Sequence, residues 1–315
     1  TTNGDSGNSV AVDSSGNVFV TGETQGGLDG NTFRGAPSDI FLTKFDNEGN
    51  KQWTKQWGTF RNDSWYSGIS DSGFSVAVDS SGNVFVTGST DGGLDGNTNA
   101  CTYDCYSSTD IFLTKFDNQG NKLFTKQWGT TSNDVGYSVA VDSSGNVFVT
   151  GYTYGRLGGN TNAGFDDIFL TKFDNEGNKL FTKQWGTTSY DEGNSVSVDS
   201  SGNVFVTGYT DGGLDGNTNA GSNDIFLTKF DNEGNKQWTK QWGTTDEDEG
   251  NSLDVDSFGN VFVTGQTDGG LDGNTNSGNI DIFLTKFDNT GNKLFTKQCG
   301  LSKGNSVAVD SLENI

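Results

Sequence analysis

Three stretches of this chain read T-D-G-G-L-D-G-N-T-N. They place Asp91, Asp95, Asn97 and Asn99, then Asp211, Asp215, Asn217 and Asn219, then Asp268, Asp272, Asn274 and Asn276 at alternating or near-alternating positions. Hard cations seek such oxygens: calcium takes several carboxylate and carbonyl ligands, and glycine lets a short loop fold around one. The pattern predicts Ca2+ at Asp91, Asp95 and Asn97, at Asp211, Asp215 and Asn217, and at Asp268, Asp272 and Asn274, although no glutamate follows in the EF-hand place. The same residues are also ordinary turn formers. A related stretch provides an internal control, because it carries Tyr154 and Gly158 in place of both aspartates and adds Arg156. No calcium is expected there.

Histidine is absent, which removes Ser-His and Cys-His nucleophiles and the familiar zinc sites. No organic cofactor is implied, and the chain is not expected to be an enzyme. Paired carboxylates are the remaining route to catalysis. Glu23 stands where other repeats have Ser89, Tyr152, Tyr209 and Gln266, and Asp254 stands where others have Ala or Ser. Brought together, the two would suit a glycosidase-like mechanism; drift among repeats explains them equally well. Two lengthened connections carry Trp65 and Tyr66, then Tyr103 and Tyr106, with Cys101 and Cys105 placed to bridge. Exposed aromatics among polar loops suit sugar or protein recognition, and they equally suit a satellite cluster that holds long loops down.

The elements that must position these residues are repeats. S-V-A-V-D-S-S-G-N-V-F-V-T-G starts at Ser9, Ser75 and Ser138, with variants at Ser195 and Ser252 and a broken copy at Ser306; D-I-F-L-T-K-F-D-N starts at Asp39, Asp110, Asp167, Asp224 and Asp281. Each unit holds four short strands, S-V-A-V-D, N-V-F-V-T-G, D-I-F-L-T-K-F-D and K-x-x-T-K-Q-W-G. The turns D-S-S-G-N and D-N-E-G-N supply side chains that bond their own backbone and a glycine for positive φ, so both make hairpins. The first three strands are apolar at both parities, as in sheets covered on both faces. The fourth segregates Trp53 and Trp57 from Gln52, Thr54 and Gln56, as a half-exposed edge would. All but one of the lysines lie on the outer hairpins (Lys44, Lys51, Lys55 and their equivalents), where cross-strand pairing and edge protection account for them. Cys299 stands where the other units have Trp57, Trp128, Trp185 and Trp242.

These two strings resemble the SBBP repeat of bacterial β-propellers and are similar to NHL repeats. The resemblance implies an all-β fold, a β-propeller of four-stranded antiparallel blades. Five complete repeats (9–58, 75–129, 138–186, 195–243 and 252–300) and a partial sixth (306–315) would form one domain over 1–315. A six-position ring is favoured, with five blades as the alternative. It further implies that S-V-A-V-D is the innermost strand, and that the tight turns share one face while the long, variable connections share the other. A propeller fold alone does not name a function.

Composition narrows the partners. A formal net charge of −22 excludes a nucleic-acid footprint, which needs basic surface. The apolar runs are far too short to span a bilayer as helices. The first residue is not Met and the last falls inside a repeat, so a processed or truncated piece is expected, with any secretion signal out of view. The leading expectation is an extracellular or cell-surface module that recognises carbohydrate or a protein partner through its variable loop face, with calcium stiffening the Asp-rich loops. A structural, adhesive repeat protein of a cell surface or matrix is the second reading, and a carboxylate-based glycan hydrolase or lyase the third.

Overall fold

The computed structural model describes residues 1–35, 37–60, 71–101, 108–300, 302–310 and 314–315. Among them are five antiparallel four-stranded sheets, each formed by strands consecutive in sequence. Sheet 1 holds β1 (Asp5–Val12), β2 (Val18–Thr24), β3 (Asp39–Phe45) and β4 (Lys51–Trp57); sheet 2 holds β5 (Ser72–Val78), β6 (Val84–Thr90), β7 (Asp110–Phe116) and β8 (Lys122–Trp128). Sheet 3 holds β9 (Asp134–Val141), β10 (Val147–Thr153), β11 (Asp167–Phe173) and β12 (Lys179–Trp185). Sheet 4 follows with β13 (Asp191–Val198), β14 (Val204–Thr210), β15 (Asp224–Phe230) and β16 (Lys236–Trp242). Sheet 5 ends the series with β17 (Asp248–Val255), β18 (Val261–Thr267), β19 (Asp281–Phe287) and β20 (Lys293–Gly300). The expected propeller-type blades are therefore present. The chain packs as two compact units, one of Thr1–Val149, Thr153–Gly159 and Lys172–Leu180, the other of Thr150–Tyr152, Asn160–Thr171 and Phe181–Ile315. No helix among the described residues is long and apolar enough to cross a membrane.

Local chemistry accounts for each hairpin. In the first turn, the Asp13 carboxylate accepts from the backbone N–H of Ser15 (2.9 Å) and of Asn17 (2.9 Å), while Gly16 takes φ 81°. The first strands start earlier than the S-V-A-V-D motif, at Asp134, Asp191 and Asp248 in sheets 3 to 5. A register shift hides this extension: between Gly193 and Ser195 one extra residue interrupts the pairing with β14, as in a β-bulge. The bulged Asn194 turns its amide outward and donates to the carbonyl of Gly250 at 3.0 Å.

The core lies between successive sheets. In the first unit Phe19, Ile40, Leu42 and Trp57 of sheet 1 pack against Val76, Val84, Val86, Phe112 and Phe116 of sheet 2. In the second unit Phe205, Ile225, Leu227 and Trp242 of sheet 4 meet Leu253, Val261, Val263, Phe283 and Phe287 of sheet 5. Each such side chain, once buried, contributes roughly 1.5–3 kcal/mol. The repeated tryptophan seals the outer rim of each interface, with Trp57 5.0 Å from Phe116 and Trp242 5.0 Å from Phe287 between ring centroids. First strands touch through one recurring bond, in which the Val76 N–H donates to Ser9 Oγ and the Leu253 N–H to Ser195 Oγ, both at 3.2 Å.

Candidate functional site: the loop face

The long connection after each second strand contains one 3-10 turn, L-D-G or L-G-G. Its central residue sits in the left-handed region: Asp29 and Asp95 at φ 53°, Asp215 at φ 52°, Asp272 at φ 50° and Gly158 at φ 62°. Aspartate tolerates this conformation because its short polar side chain finds a local partner. The partner here is the outer strand. Asp215 is paired with Lys236 Nζ at 2.6 Å and accepts from Thr239 Oγ1 at 2.6 Å, and Asp95 and Asp272 repeat the arrangement with Lys122 and Thr125, and with Lys293 and Thr296. Asp29 does the same with Lys51 and Thr54, although its loop lacks the full Asp-rich string. The loop asparagines face inward: Asn217 Nδ2 donates to the carbonyls of Leu214 (2.7 Å) and Thr239 (3.4 Å), and Asn97 and Asn274 do likewise.

Asp95, Asp215 and Asp272, three of the residues expected to gather round calcium, thus clamp the loop to the outer strand through a lysine ammonium and a threonine hydroxyl. Among the described residues no group of three or more acids has the arrangement of a metal site. The other loop aspartates point their backbone across the connections: the Asp211 N–H donates to the Tyr190 carbonyl and the Asp268 N–H to that of Glu247, both at 2.9 Å, and Asp91 is buried.

Beneath the loops lies a buried layer of carboxylates. Asp110, at the start of β7, accepts from Gln127 Nε2 at 2.8 Å and from the Ala100 N–H at 2.9 Å. Asp134, at the start of β9, accepts from the N–H of Thr130 at 2.5 Å, its hydroxyl at 2.9 Å, and the Thr153 hydroxyl. Burial pushes Asp134 up to about 6, against the opposing pull of those donors, and the neighbouring Asp110 charge adds to the rise. Asp191 is pushed up to about 6 in the same way, with Asp167 as its neighbour. The glycine ending each Q-W-G makes room for the pair: a Cβ on Gly243 would lie 2.2 Å from Asp224 Oδ1 and 3.0 Å from Asp248 Oδ2. Asp224 Oδ1 is buried without a hydrogen-bond donor among the described residues. This layer fixes the roots of the variable connections, because each member comes from a strand start or from the residue next to one.

The aromatic residues singled out in the sequence, Trp65, Tyr66, Tyr103 and Tyr106, lie outside the described residues, as does Cys105; Cys101 is disulfide-bonded. A different aromatic pair is displayed. Phe165, in the connection before β11, and Tyr190, just before β13, stack at 4.9 Å between centroids with an interplanar angle of 8°. They remain 55% and 42% exposed, respectively, so the stack forms a shelf rather than core. Asp166 and Asp191 flank it in sequence. Their equivalents in later repeats are polar, Ser222 and Asn279 for Phe165 and Glu247 for Tyr190, as is Asn133 before β9. That departure from the repeat is the sequence signal that marks them. Of the two carboxylates considered for catalysis, Glu23 accepts from the Ser72 hydroxyl, while Asp254 accepts from the N–H of Val255 and of Val309, both at 2.8 Å.

Comparison with known proteins agrees with the architecture. The chain matches the SBBP β-propeller repeat model at residues 1–29, 52–95, 123–166, 180–215 and 237–272, more than half its length. It is 29% identical over 210 residues to regulatory protein FlaEY of Caulobacter vibrioides, covering 60% of this chain and 22% of that protein. It is 26% identical over 236 residues to an uncharacterized WD repeat-containing protein of Acanthamoeba polyphaga mimivirus, covering 59% of this chain and 17% of the other. The chain thus spans about a fifth of the length of these relatives. Among solved structures, the Pan2 WD40 domain of Neurospora crassa superposes over 93% of this chain and 65% of its own, with TM-score 0.52 at 10% identity. That likeness concerns the fold.

Proposed function

The chain belongs to the SBBP β-propeller repeat family, and from that premise we propose that it is a protein-interaction module whose loop face receives a basic segment of a partner. One observation carries this reading: the Phe165–Tyr190 shelf stands exposed on rigidly rooted loops of a chain with net charge −22. Stacked rings offer apolar area at low entropic cost, and such residues anchor interfaces. The chain's net negative charge attracts a cationic partner and repels anionic ones. Names of relatives that refer to regulation and to WD repeats are in keeping with this reading.

The test is peptide display against the immobilised chain, followed by the double variant Phe165→Ser, Tyr190→Ser, which touches no buried strand. Selected peptides are expected to carry Lys or Arg beside an apolar side chain and to lose at least tenfold in affinity for the variant. Peptides that bind both proteins equally would remove the shelf from the interface. Binding on a glycan array that the same variant abolishes would replace the protein partner with a carbohydrate.

A further inference from the structure

The loop end of sheets 4 and 5 departs from the repeat at one more place. Directly after Asp5, Asp71 and Asp134 come Ser6, Ser72 and Val135, whereas Asp191 and Asp248 are followed by Glu192 and Glu249. The register sets Glu192 of β13 opposite Tyr209 of β14, and Glu249 of β17 opposite Gln266 of β18. Side chains so opposed share a face and lie within reach of each other. All four belong to the same compact unit.

Acceptors dominate this corner. The Tyr209 hydroxyl donates to Glu192 and feels the charges of Glu249 and Asp166; burial and those carboxylates hold the phenol above its usual range, so it keeps its proton. Burial also pushes Glu249 up, and the charges of Glu247 and Asp268 add to the rise against the pull of Lys303. Five carboxylates thus gather round Tyr209 and Gln266, with the exposed Lys303 as the cation set against them. The amide of Gln266 is a separate sign of a missing donor. Its side chain is 5% exposed, its Nε2 donates to Glu249 Oε2 at 2.8 Å, and its Oε1 is buried without a hydrogen-bond donor among the described residues. Native structures rarely leave a buried acceptor in that state unless something absent supplies the donor. Glu192, Tyr209 and Glu249 are only half-buried, so the cluster reaches solvent. It also adjoins the aromatic shelf: Asp166 follows Phe165, Glu192 lies two residues beyond Tyr190, and the Asp211 N–H donates to the Tyr190 carbonyl at 2.9 Å.

We infer that this cluster receives an arginine side chain of the partner, its guanidinium donating to Glu192, Glu249 and Gln266 Oε1 while an adjacent apolar residue lies on the Phe165–Tyr190 shelf. The inference rests on the protein-partner reading of that shelf and assigns the place of its basic residue. Acceptors on three separate side chains call for several donors in one rigid group. Guanidinium offers them in a planar fork, stays charged and gives up water more readily than an ammonium, which is a compact point charge. A neutral hydroxyl ligand would leave the buried carboxylate charge uncompensated. A metal fits less well, because among the described residues no group of three or more acids has the arrangement of a metal site.

The probe is a fluorescently labelled Trp-Gly-Arg-amide peptide, compared with the same peptide carrying citrulline, the neutral isostere of arginine, or lysine. Binding is read by anisotropy. The wild-type chain is expected to bind the arginine peptide saturably, the citrulline peptide at least tenfold more weakly and the lysine peptide several-fold more weakly. The double variant Glu192→Gln, Glu249→Gln should bind the arginine peptide at least tenfold more weakly and the citrulline peptide as before. Its substitutions keep shape and remove half-buried charge, so its Tm should not fall; the comparison of arginine with citrulline on the unaltered chain reads the charge directly should the variant fail to fold. Gln266→Leu should weaken arginine binding several-fold. Equal binding of the arginine peptide and either analogue overturns the inference, as does no binding at millimolar peptide. If Phe165→Ser, Tyr190→Ser weakens the arginine peptide and the glutamate variant does not, the shelf stands and the arginine site falls. Arginine binding that needs both glutamates but ignores the shelf variant upholds the site and removes the shelf from the interface.

Discussion

Aspartates mark both ends of the sheets, and the two sets live in opposite surroundings. At the turn end, Asp46, Asp117 and Asp174 accept from the amide of the asparagine four residues on and from backbone N–H groups, and those bonds hold each carboxyl below the ordinary range. At the loop end, Asp134 and Asp191 also accept several hydrogen bonds, yet burial outweighs them and lifts both to about 6. The difference is water. A carboxylate in solvent gains from every donor it orders, whereas one taken out of water beside a second carboxylate needs those donors merely to offset desolvation. The turn end thus stabilises the hairpins, and the loop end spends stability on a rigid base for variable connections.

The sharpest way to break that contrast is to crowd the loop end. Gly243→Ala drives a methyl group against Asp224 and Asp248, and is expected to lose about 3 kcal/mol by denaturant unfolding. Gly49→Ala at the turn end meets nothing within 4 Å and carries only the strain of φ 84°, which costs about 1 kcal/mol. Equal losses would mean that the carboxylate pair yields freely. The pH dependence comes next. Folded Asp134 and Asp191 keep their protons up to about pH 6 whereas the unfolded chain releases them near 3.8, so the native state binds more protons in between. Their contribution is complete below about 3.8 and lost as pH rises through about 6. The turn aspartates, with lowered values, contribute above 3.8 and lose it only in stronger acid. Calorimetry should therefore show Tm rising by several degrees from pH 7 to pH 5 and falling again below pH 4. A steady fall from pH 7 downward would contradict the buried-pair reading.

Much of this fold was legible because turn chemistry and strand patterning recur five times, so one unit checked another. The four strands, both hairpins and the exposed outer edge stand where D-S-S-G-N, D-N-E-G-N and the K-x-x-T-K-Q-W string place them. The start of the first strand was hidden because a bulge at Asn194 breaks the alternation that betrays a strand. The loop face was harder to read. Asp215 and Lys236 are twenty-one residues apart in sequence, and no local pattern reveals that the outer strand brings an ammonium to the loop carboxylate. Phe165 and Tyr190 lie in separate connections, so only their departure from the polar repeat equivalents marked them.

The smallest effects concern the clamp. Asp215→Gly removes the partner of Lys236 and Thr239, but glycine suits φ 52°, and half-exposed ion pairs contribute little; a loss under about 1 kcal/mol is expected. Calcium should do less still. To bind at Asp215 it must displace an ammonium at 2.6 Å and recruit Asn217, whose amide nitrogen is turned to two carbonyls. A ligand stabilises only as far as it binds the folded state, so millimolar calcium followed by chelator is expected to leave Tm within about 1 °C. A larger rise, with metal retained at the three Asp-rich loops and none at Gly158, would show that calcium outcompetes lysine there. The clamp would then be the resting state of a metal site, and Lys236→Ala should strengthen the response.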